Sequence, residues 1–132
     1  MKKQRSYVLG VSLGLLLAAV PVLAHHSITS EFDPSKEGVV KGVMSGVQWV
    51  NPHVYTFVDV KDPKTGKVDT WSFEGNPPAT YHRAGLRRSD WKVGEEVTVT
   101  YAAAKDGTKH LGFVKMIRYN DGHTMVFRVG GE

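Results

Sequence analysis

From Val39 onward the apolar positions follow a two-residue period broken by turn residues, which predicts strands. In VVKGVMSGVQWV, residues 39–50, Val39, Val43, Val47 and Trp49 share one parity. Gly42 and Gly46 interrupt the pattern, as in a strand that bends or carries a bulge. Asn51-Pro52 ends it. HVYTFVDV is β-branched and aromatic and predicts a second strand, and DPKTGK a hairpin loop. VDTWSFEG predicts a third, with Trp71 and Phe73 on one face.

The texture then changes. In NPPATYHRAGL, Asn76 suits a helix N-cap, Pro77 its first position and Gly85 the left-handed C′ position, with Leu86 placed to pack on Tyr81. KVGEEVTVTY, HLGFVKMIRY and TMVFRV predict three further strands, separated by KDGTK and NDG turns. Three strands, one short helix and two or three strands predict an all-β, OB-like antiparallel barrel of five to six strands, with the helix between strands 3 and 4. The alternative is an open antiparallel sheet with the helix across one face.

The start of the chain reads differently. Lys2, Lys3 and Arg5 precede an apolar run from Val8 to Val20, then Pro21, with Val22 and Ala24 at the −3 and −1 positions of a cleavage site. This predicts a signal peptide over 1–24, too short in its apolar part to span a bilayer. GVSLG around Ser12 matches a nucleophile elbow formally but falls inside that run. Residues 25–37 are polar, with Asp33-Pro34, and read as an N-terminal arm; 38–129 read as the barrel domain. Export to the periplasm or beyond, with no membrane span after cleavage, is the expectation.

Cleavage changes the charge. The 17 Lys and Arg, less those three, against 13 Asp and Glu, leave +1 for the mature chain. Neither a basic stripe nor a nucleic-acid partner is expected. The absence of cysteine excludes thiolate metal sites, disulfides and covalent haem.

The residues HHS at 25–27, EFD at 31–33, WVNPH at 49–53, WSFE at 71–74, RAGLRRSDW and GEEVTV resemble a family of small exported bacterial proteins grouped as a domain of unknown function. The likeness spans nearly all of the mature chain, with Val50 where the family usually has threonine. It implies an exported β-barrel and no particular chemistry.

Chemistry centres on six histidines. Cleavage after Ala24 leaves His25 with a free amine. Amine and ring Nδ1 can chelate one ion, and a second imidazole completes a three-nitrogen set that favours Cu(II). This is similar to the histidine brace of secreted copper proteins on other folds. His53 is the expected second imidazole, fixed by Pro52 and oriented by Asn51; His26 and His110 are alternatives, and Glu74 offers an oxygen. An arm running back along the first strand would bring His25 to His53. The plainer reading gives His53 a contact with Trp49 or with backbone.

Tyr55, Phe57, Trp71 and Phe73 form either a stacking platform for a ligand or barrel core. Arg83, Arg87 and Arg88 make a basic cluster for an anionic ligand or protein partner, or a solvated helix end. With Trp49, Asn51 and Glu74 these complete the candidate ligand surface. No catalytic set is present; the reading is a binding or accessory protein for a metal ion or small ligand. The alternatives are a metal-free module docking on a larger exported enzyme or envelope complex, and a copper-dependent oxidoreductase.

Overall fold

The computed structural model describes residues 27–129. A single helical turn, α1 (Ile28–Glu31), leads into a long strand, β1 (Phe32–Gln48). Then come β2 (Tyr55–Lys61), β3 (Val68–Glu74), the short helix α2 (Pro78–Arg83), a 3-10 turn at Arg88–Asp90, β4 (Glu96–Ala104), β5 (Leu111–Tyr119) and β6 (Thr124–Val126).

The sheet order is β3-β2-β1-β4-β5-β6, and a further pairing of β3 with β5 closes the first five strands into a barrel. That seam is parallel and short: Ser72 lies opposite Leu111, Phe73 opposite Gly112 and Glu74 opposite Phe113. Closure removes the edge that an open sheet would expose, so the barrel and not the open sheet is the fold. His110 takes a left-handed backbone, φ 58°, at the seam's first rung, where its carbonyl accepts the Ser72 N–H at 2.9 Å.

The first strand departs from the expected pattern in two ways. It begins at Phe32, inside the segment read as an arm. Asp33-Pro34 does not end the chain's extended path. The Asp33 carboxylate accepts from Ser35 N and Oγ, and the turn is absorbed as a register shift between Asp33 and Glu37. Phe32 and Asp33 pair with Ala104 and Ala103 before that shift.

The shared parity of Val39, Val43, Val47 and Trp49 also fails. A second register shift lies between Met44 and Gly46. It exchanges the faces of the strand, so Met44 is buried while Val39 and Val43 are exposed, and Val47 and Trp49 pack on the core.

Inside the barrel Met44, Val58, Phe73, Val97, Val99, Val114 and Ile117 are buried together. Tyr81 of α2, Trp91, Trp49 and Phe127 plug one end; the Trp91 Nε1–H donates to Thr56 Oγ1 at 2.9 Å. Helix α2 ends as expected. Gly85, φ 82°, is C′, its N–H donates to His82 O, and the Leu86 N–H donates to Tyr81 O. Its start is shifted by one: Pro77 is the cap residue and Pro78 the first helical position.

Tyr101 lies across the barrel near its other mouth. A Cβ on Gly38 would meet its Cζ and hydroxyl at 2.3 Å, and one on Gly112 its Cδ2 at 2.4 Å. Two backbones therefore approach that ring as only glycine allows. Outside β4 and β5 sits a smaller cluster, Phe32, Ala102 and Phe113, with Ile28, Leu111 and Val129 packed on it. This cluster seats α1 against the barrel wall. Among the described residues no helix is long and apolar enough to cross a membrane.

Candidate functional site

The site grows from the barrel seam. Glu74, the last residue of β3, stands between Tyr55 on β2 and Phe113 on β5. Tyr55 Oη donates toward Glu74 Oε2 across a long 3.5 Å. His53 lies in the link between β1 and β2, next to the cis Asn51–Pro52 peptide.

His53 Nδ1 is 3.0 Å from the carbonyl oxygen of Gly75. A carbonyl only accepts, so Nδ1 carries the proton. In the neutral ring Nε2 is then a bare lone pair. It faces Glu74 Oε1 at 3.4 Å. Two acceptors facing each other repel, so this pair calls for a cation between them, either a proton or a metal ion. Holding one ring nitrogen on a backbone carbonyl so that the other is presented is also how metal-binding histidines are oriented.

Glu74 is 9% exposed. Burial pushes its carboxyl above the usual range; the His53 ring opposes this, and the Glu31 charge adds to it. Burial and the Glu74 charge likewise push the Tyr55 hydroxyl up.

Glu31 ends α1 and lines the same cavity as Glu74, about 340 Å³ in volume, with Phe32 and Lys105. Lys105 clamps the turn there: its N–H donates to Glu31 O at 2.9 Å and its Nζ to Thr29 O at 2.5 Å. The beginning of the described chain thus sits at the corner that holds Glu74. It arrives through barrel closure, not by doubling back along β1.

The remaining sequence candidates scatter. His25 and His26 lie outside the described residues. Asn51 is exposed and makes no hydrogen bond among the described residues; Gly75 O orients His53 instead. The ring contacts of Trp49 are with residues other than His53. Trp49 packs at 5.0 Å from Trp91, 5.7 Å from Tyr81 and 5.8 Å from His82, ring to ring, as core.

The four aromatics of β2 and β3 divide between faces. Phe73 is buried inside with Thr56 opposite, whereas Tyr55 and Phe57 lie opposite Glu74 and Ser72 on the outer face. Trp71 is at the inner mouth, 5.2 Å from Tyr101 and 5.1 Å from His110. They form no common platform, because β2 and β3 pair in a register that sets Thr56 against Phe73.

Arg83 ends α2 and Arg87 and Arg88 follow it, all three exposed, and no contact joins them to His53 among the described residues. Sequence reasoning missed Glu31, Gly75 and Lys105. Only Glu31 left a trace, in the EFD stretch. Among the described residues no three His, Asp or Glu side chains form a group able to hold a metal; the described part of the site is a pair.

A family model, a family of unknown function (DUF6152), matches residues 13–126. The chain belongs to that family. Neither the curated proteins nor the solved structures give a match.

Proposed function

We propose that this member of DUF6152 is an exported, periplasmic accessory protein that binds Cu(II) at the corner formed by His53 and Glu74. His25 and His26 at the mature N-terminus supply the remaining donors, the His25 amine among them. The observation that carries the reading is the facing pair, an Nε2 lone pair 3.4 Å from a carboxylate oxygen. Two donors each about 2.1 Å from one ion stand roughly 3.0–3.4 Å apart.

Reach supports it too. His25 lies two positions before Ser27, a span of about 7 Å at most, and the turn that follows Ser27 is clamped beside Glu74. The expected role is carriage or delivery of the ion, without catalysis; oxygen consumption driven by a reductant would instead mark an oxidoreductase.

A second reading, a metal-free docking module, is favoured by one feature. Val39 and Val126, 64% and 72% exposed, lie at the two ends of an outer-face row through Thr100 and Met116.

Titrating the mature protein with Cu(II) and following the visible d–d band separates the two. The expected result is saturable binding that weakens at least 100-fold when one alanine is added before His25. Unchanged affinity in that variant refutes amine ligation, and absence of saturable binding leaves the docking module.

A further inference from the structure

A cavity of about 590 Å³ lies between α2 and the segment that follows β6. Its volume is within the range of small-molecule sites. The floor is apolar: Tyr81 and Phe127, both buried, with Leu86. The rim carries Arg83, Thr80 and Arg128, and no acidic residue lines the cavity.

Arg83 Nη2 donates to Thr80 Oγ1 at 3.3 Å. Among the described residues it has no carboxylate partner, so its remaining donors point to solvent at the mouth. Asn76, 4% exposed, donates from Nδ2 to Arg128 O at 3.1 Å and ties the two walls together. The walls are therefore fixed. The Schellman end of α2 holds one and the Asn76 bond the other.

A greasy floor under a guanidinium rim matches one class of small molecule. A carboxylate fits the guanidinium fork, and an apolar tail fits the aromatic floor. We infer that this groove binds an amphipathic monocarboxylate, with Arg83 pairing the carboxylate and Tyr81, Leu86 and Phe127 covering the tail.

The site contains its own reporter. The Trp91 ring lies 5.7 Å from Phe127 and 5.1 Å from Tyr81, so filling the groove changes its surroundings. Sodium decanoate, below its micelle concentration, is titrated into the metal-free protein while tryptophan fluorescence is followed.

Decanoate is expected to give a saturable change. Acetate, which has charge without a tail, and decanol, a tail without charge, should each bind at least 10-fold more weakly. Arg83→Ala should weaken decanoate about 10-fold, with Arg83→Lys between the two; Arg83 is exposed, so circular dichroism of both variants should match the parent. No saturable change, equal binding of decanol and decanoate, or an unaffected Arg83→Ala would each overturn the assignment.

Discussion

Replacing His53 by asparagine separates a binding site from a structural contact. Asn Nδ2 stands close to where His Nδ1 stands, so the variant keeps the donor to Gly75 O and deletes Nε2. Losing part of one hydrogen bond costs about 0.5–1.5 kcal/mol. At about 4–8 °C per kcal/mol for a domain of this size, the metal-free variant should melt roughly 2–12 °C lower than the parent.

Copper at 100 times its dissociation constant stabilises by about 2.7 kcal/mol, a rise of roughly 10–20 °C in the parent. A variant lacking one imidazole and binding about 100-fold more weakly has ion and dissociation constant equal at that concentration. It gains only about 0.4 kcal/mol, or about 2–3 °C. The assay is thermal unfolding by circular dichroism with and without Cu(II). If His53 only braces the backbone, the parent and His53→Asn gain the same rise with copper, and the reasoning behind the site fails.

Two other expectations test the scaffold. Lys105→Ala removes the side-chain bond to Thr29 O but leaves the Glu31 rung, and should weaken copper about 10-fold while thermal unfolding of the metal-free protein moves by only a few degrees; an unchanged titration would separate the position of α1 from the site. Gly38→Ala drives a methyl into the Tyr101 ring and should cost about 1–3 kcal/mol in chemical denaturation, with part of the loss recovered by Tyr101→Leu in the same chain; additive effects of the two changes would show that the ring does not set the need for glycine.

The fold was legible because its signals are local. Alternation in VTVTY, turn residues in KDGTK and the capped NPPATYHRAGL stretch each report on a few neighbouring residues, and β2 to β6 and α2 appear within a few residues of where the sequence puts them, whereas α1 and the early start of β1 at Phe32 carried no such local signal. The face of β1 was not legible. A single extra residue between Met44 and Gly46 inverts parity, and glycine marks the place of a bulge without stating its direction.

The pairing of His53 with Glu74 was half legible. His53 and Glu74 were both candidates, but their contact depends on the β2–β3 register and on the three rungs between β3 and β5. Gly75 contributes through a carbonyl that every residue possesses, so no residue type could announce it. Lys105 reaches Thr29 across 76 positions of sequence, a closure only the barrel creates.

The Glu74–His53 pair also makes opposite predictions for metal-free and metal-loaded protein as pH rises. Burial raises the Glu74 carboxyl above its ordinary value of 4.5. A group raised on folding contributes stability that is complete below the unfolded value and is lost as pH climbs through the folded one. Metal-free parent protein should therefore lose stability relative to Glu74→Gln, which has no such proton to release, from about pH 4.5 upward. Copper reverses the slope. The proton on Glu74 competes with the ion, as do protons on the imidazoles and the amine, so the stabilisation given by Cu(II) should grow over the same window and beyond it to about pH 8. Parallel melting series from pH 4 to 8 for the parent and Glu74→Gln, each with and without Cu(II), measure both slopes. If parent and variant run parallel without metal, the buried carboxyl is not the group that titrates. A copper effect that is flat with pH would mean that no proton leaves when the ion binds.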